Sequence, residues 1–354
     1  MPKPRILTVV GARPQFIKAA PLSRALAKAE IVEVLVHTGQ HYDRGMSDVF
    51  FEELDIPLPS IHLGIGQASR AVQLARMIEG ISDAIEREKP DAVVIYGDTT
   101  STLAGALAAG IAGTKLAHVE AGLRSFNRTM PEEFHRKLAD HAADLFFCPT
   151  PTSVELLRRE GISDGVHLVG DTMYDALLWA RDKASNNETR AKIGVTKASY
   201  ALATLHRPYN VDDPARLAAL LAALGLIDME IVFPVHPRTR ACLGDVKLPA
   251  NLRLIDPIGF LDMVALETDA RLILTDSGGV QKEAYFLGVP CVTIRPETEW
   301  IETLEGGWNV LANEPEAIVA AALRPMPMNA PKPVFGVGRA AEQIVAILAR
   351  ALTT

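Results

Sequence analysis

Short continuous apolar runs alternate along this chain with longer amphipathic stretches, and the alternation begins almost at the first residue. Residues 5–11 form a β-rich run, followed by Ala12-Arg13-Pro14 and a helical pattern through Ala29, with Pro14 in the first helical turn. Residues 31–39 read as a second strand. Residues 68–88 carry the spacing of a long amphipathic helix that Lys89-Pro90 stops, and residues 91–98, DAVVIYGD, form a third buried strand. An alanine-rich helix over 99–111, a strand over 115–122 and a helix over 131–143 follow. Strands over 145–150 and 166–170, separated by a helix over 152–160, close this first series.

Strands without polar alternation, each followed by a helix, predict parallel sheets covered on both faces. Residues 181–197 are polar and rich in Lys, Asn and Glu, which predicts a surface connection with a domain boundary close by. A second series then runs through strands 200–205, 230–235, 252–255 and 271–275, helices 214–224 and 259–268, and strands 290–294 and 309–311. The proline-rich stretch 325–333 is a connection and residues 338–352 a final helix. The expected fold is therefore α/β: two doubly wound, Rossmann-like domains, residues 1–169 and 170–337, facing each other across a cleft. Ligands of such sheets bind at the carboxyl ends of strands, so strand-end residues are the first candidates for chemistry.

Composition narrows the picture. The chain has 354 residues, 48% of them hydrophobic and 22% charged, enough to bury two cores. A net charge of -7 and the absence of any Lys/Arg block exclude the electrostatic footprint of a nucleic-acid or anionic-membrane partner, but a small anion held by helix ends and a few arginines remains compatible. Cys148, Cys242 and Cys291 are odd in number, lack metal-like spacing and read as reduced structural thiols. No apolar run spans a bilayer and no leader pattern precedes the first strand, so a cytoplasmic location is expected.

The strongest anion signal is residues 271–284, RLILTDSGGVQKEA: an apolar strand, Asp276-Ser277-Gly278-Gly279, then a helix whose first N–H groups and dipole point at a ligand. An ordinary tight turn accounts for the same glycines. Arg13, closing the first strand after Gly11, offers a donor fork suited to phosphate, though many such arginines are only solvated charges. No G-x-G-x-x-G with a ribose-binding acid and no Walker loop occurs. Asp98 ends a buried strand and either caps the next helix or faces the cleft. Glu120, in HVEAG, is a carboxylate near the end of a buried strand, where burial would raise its pKa. Glu132 and Glu133 open a helix, where acids are favoured by the dipole in any case. Asp98, Glu120 and Glu132 all follow strand ends of one sheet and could converge as a proton-transfer cluster. His206 and His236 end strands of the second series, His206 beside Arg207, where it could bind phosphate or act as an acid. Glu283 stands two helical turns after Asp276, placed to reach a ribose or to lie on the helix surface. No metal motif is present.

Taken together, GARP at 11–14, YGDTTST at 96–102, HVEAGLRS at 118–125, PEE at 131–133, LHR at 205–207 and LTDSGGVQKEA at 274–284 resemble, in order and spacing, the non-hydrolysing UDP-N-acetylglucosamine 2-epimerase family. The resemblance implies a glycosyltransferase B fold, with the last helix, 338–354, packing back onto the first domain. It implies a cytoplasmic homodimer acting on a UDP-sugar, with no cofactor, metal, nucleic acid or membrane. Asp98, Glu120 and Glu132 match the family's catalytic acids, His206 the histidine of catalysis and phosphate binding, Arg13, Ser277, Gly278 and Gly279 the diphosphate site, and Glu283 the ribose contact. The implied reaction interconverts UDP-N-acetylglucosamine and UDP-N-acetylmannosamine by eliminating UDP to a 2-acetamidoglucal and adding it back.

The chain departs from the family's usual pattern at Pro208, His135 and the short loop 125–130 (SFNRTM), positions near an activating second sugar-nucleotide site of bacterial members. GARPQFIKAA and VHTGQHYD also resemble relatives that epimerise UDP-2,3-diacetamido-2,3-dideoxyglucuronate, whose carboxylate could pair with Arg128. A hydrolysing epimerase and a UDP-sugar glycosyltransferase are more distant alternatives.

Overall fold

The computed structural model describes residues 3–40, 51–66, 68–184, 188–244 and 246–353. They form two compact units, Met1–Leu178 with Pro333–Thr354, and Trp179–Lys332. The first holds seven parallel strands: β1 (Arg5–Val10), β2 (Val32–His37), β3 (Ile61–His62), β4 (Ala92–Tyr96), β5 (Lys115–Val119), β6 (Leu145–Cys148) and β7 (Val166–Leu168), in the order β3-β2-β1-β4-β5-β6-β7. The second holds six: β8 (Tyr200–Thr204), β9 (Glu230–Pro234), β10 (Leu252–Ile255), β11 (Leu272–Thr275), β12 (Cys291–Thr293) and β13 (Asn309–Leu311), in the order β10-β9-β8-β11-β12-β13, again parallel. This is the α/β architecture that the alternation of runs implied. The strand order reverses between β1 and β4 in one unit and between β8 and β11 in the other, and such switch points open a crevice at the strand ends.

The reasons are local. Every residue of β4 is buried, as a strand covered on both faces must be. The helix Arg70–Glu88 buries Met77, Ile81, Ala84 and Ile85, one stripe at helical spacing, against Leu7, Val9, Val93 and Ile95. Lys89 ends it in a left-handed conformation before Pro90. The helix Thr100–Ala112, built of small residues, lies so close to the sheet that a Cβ on Gly105 would meet Ile95 Cγ2 at 2.7 Å.

The polar stretch 181–197 is largely exposed, as a surface connection would be, but part of it is helical. The helix Thr172–Ala184 runs into it and the short helix Thr189–Ile193 follows, with residues 185–187 outside the described set. Leu177, Ala180 and Ala184 continue a buried stripe, which Arg181, Asp182 and Lys183 on the outer face conceal in the sequence. The division between the units falls inside this helix. Asp175, on the same helix, accepts the N–H groups of Ala340 (3.1 Å) and Ala341 (2.8 Å) and so caps the last helix, Ala340–Thr353, which packs on the helix Arg13–Lys28 of the same unit. Residues 41–43 of VHTGQHYD lie outside the described set.

Candidate active site

In the first unit the site grows from the β1 and β4 tips. Gly11 is where backbone and neighbours come closest: a Cβ there would lie 2.0 Å from Thr38 Oγ1 and 2.2 Å from Ser101 Oγ. Gln15 accepts the N–H groups of Gly11 (2.9 Å) and Ala12 (3.0 Å) and donates to the Tyr96 carbonyl (3.0 Å), locking the two tips together. Arg13 opens the following helix; burial pulls its guanidinium below the usual value, against the attraction of Glu53.

Glu120 is buried, as its place near the end of a buried strand implied, and it has a charged partner. Lys18, itself buried on the helix Arg13–Lys28, places Nζ 2.5 Å from Glu120 Oε1. Glu120 adopts φ 69°, a left-handed conformation unfavourable for a residue with a Cβ, and its N–H and that of Ala121 converge on the Phe147 carbonyl at 3.0 and 3.2 Å. Gly97, before Asp98, is the contact point: a Cβ there would lie 3.1 Å from Lys18 Nζ and 3.3 Å from Glu120 Oε1.

Asp98 is not the helix cap. Thr99 takes that place, accepting the Thr102 N–H at 3.3 Å, and Asp98 instead meets Arg136 Nη2 at 2.5 Å while its carbonyl meets His135 Nδ1 at 3.0 Å. Glu132 and Glu133 open the helix Pro131–Ala142 but differ in surroundings. Glu133 is buried and accepts the Ser125 N–H (2.8 Å), the Ser125 hydroxyl (2.9 Å) and the Phe126 N–H (3.2 Å). Burial, which would raise its pKa, is outweighed by the Ser125 donors and Arg136, so this carboxyl is held below the usual range. Glu132 is half-buried, one helical turn before the Arg136 that binds Asp98. The first unit thus brings Asp98 and Glu120 to adjacent strand ends, with the helix bearing Glu132 tied to Asp98.

In the second unit the organising group is Asp276, fully buried after β11. Its carboxylate accepts the N–H groups of His206 (3.0 Å) and Arg207 (2.9 Å) and the Asn210 amide (3.2 Å), and stands 3.1 Å from His206 Nδ1. Burial would raise its pKa, but the His206 bonds and these donors hold it below the usual range. With Nδ1 held at Asp276, Nε2 is the second ring nitrogen of His206. Pro208 fits as the first residue of the one-turn helix Pro208–Val211, where no N–H is needed. The ring of His236 lies 5.6 Å from that of His206, centroid to centroid.

Ser277 caps the helix Gly278–Leu287, its hydroxyl accepting the Val280 N–H at 3.3 Å. A Cβ on Gly278 would lie 2.8 Å from Glu299 Oε1, 3.7 Å from Arg295 Nη1 and 3.8 Å from Arg207 Nη2, so the Arg295–Glu299 ion pair (2.9 Å) and the Arg207 guanidinium flank the Gly278-Gly279 backbone at the positive end of the helix. Glu283 is buried on this helix rather than spread on its surface. Burial and the adjacent Glu283 carboxylate push Glu267 well above the usual carboxylate range. Among the described residues no group of three or more His, Cys, Asp or Glu could hold a metal ion.

The first unit thus carries candidate acids beyond its strand ends and the second a candidate anion site at its switch point. The sequence model of the family described as UDP-N-acetylglucosamine 2-epimerase matches residues 24–349. The chain belongs to this family. Among relatives, a UDP-N-acetylglucosamine 2-epimerase homolog of Methanococcus maripaludis is 49% identical over 87% of this chain and 88% of its own. The UDP-2,3-diacetamido-2,3-dideoxy-D-glucuronate 2-epimerase of Pseudomonas aeruginosa is 43% identical over 98% of this chain and 99% of its own. The crystal structure of Methanocaldococcus jannaschii UDP-GlcNAc 2-epimerase, in complex with UDP-GlcNAc and UDP, is 41% identical with a TM-score of 0.87, covering 99% of this chain and 100% of that one. The two doubly wound units are thus those of a glycosyltransferase B type epimerase fold.

Within this family member, the sequence reading missed Lys18, Arg136, Asp276 and Arg295. Lys18 carried a signal: it is a lysine inside the apolar helix face FIKAAPL, which has to find an acid. Arg295 ends the run VTIR as Arg13 follows VVGA, but without glycine to mark it.

Proposed function

We propose that the chain is a non-hydrolysing 2-epimerase that interconverts UDP-N-acetylglucosamine and UDP-N-acetylmannosamine. What supports this reading is the candidate acid set, with Asp98 and Glu120 after the adjacent strands β4 and β5 and Glu132 on the helix that Arg136 ties to Asp98, in a chain whose second sheet has a candidate anion site at its switch point. Neither a glycosyltransferase nor a passive binder needs such a set.

C2 of the sugar has no neighbouring ketone, so a bare carbanion there is too high in energy. A carboxylate instead takes the C2 proton while the C1–O bond breaks. The C–H electron pair becomes the C1–C2 double bond, and UDP departs with the C–O pair, leaving a 2-acetamidoglucal. Addition of UDP to C1, with a proton delivered to the opposite face of C2, gives the epimer. Asp98, Glu120 and Glu132 remove and return the proton, with Lys18 bonded to Glu120 and Arg136 to Asp98. Arg13, Ser277, Gly278, Gly279, Arg207 and Arg295 hold the diphosphate through the elimination, with His206, oriented by Asp276, at the leaving phosphate and Glu283 at the ribose. The enzyme works as a cytoplasmic homodimer. No described helix is long and apolar enough to cross a membrane.

A second substrate has support. The Pseudomonas aeruginosa relative covers nearly the whole chain, and Arg128 is exposed on the loop 125–130, available to a sugar carboxylate. Incubation with each UDP-sugar in deuterated water, followed by NMR, tests both readings. Epimerisation places deuterium at C2 in a mixture of two UDP-sugars, whereas release of free sugar, or no exchange with either substrate, would refute it. Equal turnover of the neutral and acidic sugars by wild type and Arg128→Ala would remove the role of Arg128.

A further inference from the structure

Behind the two acid-bearing turns lies a buried set of charges that the proposed reaction does not use. His118, on β5, is fully buried, with Nε2 2.7 Å from the Gly97 carbonyl oxygen and Nδ1 2.7 Å from Asp140 Oδ1. Asp140 also accepts Arg124 Nη1 at 2.6 Å and the Gly122 N–H at 3.2 Å. Burial would raise the Asp140 pKa, but His118 and Arg124 hold it below the usual carboxylate range, so Asp140 is an acceptor only. A carbonyl oxygen is an acceptor only as well. With acceptors on both sides, each ring nitrogen of His118 carries a hydrogen. In either neutral tautomer a lone pair would face an oxygen at 2.7 Å.

Closest to the ring, two cations, His118 and Arg124, meet two carboxylates, Asp140 and Glu160. Arg124 makes a two-fold bond to Glu160, Nε to Oε1 and Nη2 to Oε2, both at 2.7 Å, and His141 Nε2 stands 3.2 Å from Glu160 Oε2. Lys137 adds a more distant positive charge at Glu160, and Cys148, its thiol pushed up to about 12 by burial, is the nearby neutral group on β6.

The two backbone groups held by this set are the ones that aim the candidate acids. Gly97, at φ 61°, immediately precedes Asp98, and Gly122, at φ 82°, closes the turn that begins with Glu120. Gly122 is confined from the other side too, since a Cβ there would lie 2.4 Å from the Ser153 carbonyl oxygen. One imidazolium–carboxylate pair therefore spans from the tip of β4 to the turn after β5.

We infer that His118, as a buried imidazolium paired with Asp140, is a positioning residue that fixes Asp98 and Glu120 relative to each other through the Gly97 carbonyl and the Gly122 N–H. This role rests on the proposed epimerase reading; the protonation of the ring does not. Nitrogen-15 NMR of the labelled wild-type protein at mildly alkaline pH should show a bound hydrogen on both His118 ring nitrogens, with the signals assigned by their loss in His118→Gln. A ring with one bare nitrogen would overturn the inference.

The kinetic arm compares His118→Gln with the double variant His118→Gln/Asp140→Asn, in which an amide pair replaces the ion pair. A misplacement of under 1 Å at the acids should lower kcat of the single variant by about 10- to 100-fold, with KM and UDP affinity within about threefold of wild type. The double variant should regain melting temperature and at least part of kcat, and it serves if the single variant does not fold. Wild type that exchanges nothing at C2 would remove the epimerase reading. An active wild type with equally active variants would overturn the positioning role alone.

Discussion

Lys18 and Glu120 show how a candidate acid is held in place by a buried partner. Both are buried, and the 2.5 Å contact gives each the opposite charge it needs. Removing one partner of a buried pair leaves the other charge uncompensated, a cost of roughly 3–5 kcal/mol. Lys18→Met is therefore expected to lower the unfolding free energy by about 3 kcal/mol in urea titrations and to abolish measurable epimerisation. Lys18→Met/Glu120→Gln should regain most of the stability and none of the activity. Full activity in the single variant would show that Glu120 does not need its ammonium partner. At this scale, Arg13, Asp98, Glu120, His206 and Ser277 stand out as candidates because each follows or ends an apolar run, where a polar side chain needs a reason, whereas Glu283 stands out only by its spacing from Asp276. Their partners do not stand out in this way. Lys18 is 102 residues from Glu120, and Asp276 is 70 from His206, so only the folded chain joins them.

Among the elements, the strands and long helices follow from periodicity, while the short ones do not. β3, the helices Pro208–Val211 and Pro237–Leu243 and the 3-10 turn Ile301–Gly307 are too brief to establish a period, and each is fixed by contacts made elsewhere in its unit. The polar stretch after residue 181 hid a helix because its buried stripe is alanine and leucine spaced between charges. The same helix carries a pH response. Burial, with Asp171 and Glu342 nearby, raises Asp175 from 3.8 to about 6 despite the two capping N–H groups. A carboxyl raised on folding contributes stability below its unfolded pKa and loses that contribution as pH rises through about 6. Asp175→Asn should remove a decline on the order of 1–2 kcal/mol between about pH 4 and 7, read from urea unfolding at a series of pH values. An unchanged slope would assign that decline to other groups.

For the whole molecule, two parallel sheets with reversed strand order give two crevices, and the candidate proton-transfer groups lie in one unit and the candidate anion-binding groups in the other. The fold class was legible because fully apolar strands leave few other arrangements; the charge balance within each crevice was not, since the net charge of -7 says nothing of where Arg207 and Arg295 gather. The central claim is that the C1–O bond breaks while UDP stays bound, so that the phosphate is a leaving group held for its return. The direct measurement is positional isotope exchange with a UDP-sugar carrying oxygen-18 in the C1–O–P bridge. The account expects the label to move into the non-bridging oxygens of the β-phosphate within the recovered UDP-sugar, alongside deuterium uptake at C2. Deuterium uptake with the label still wholly in the bridge would contradict it.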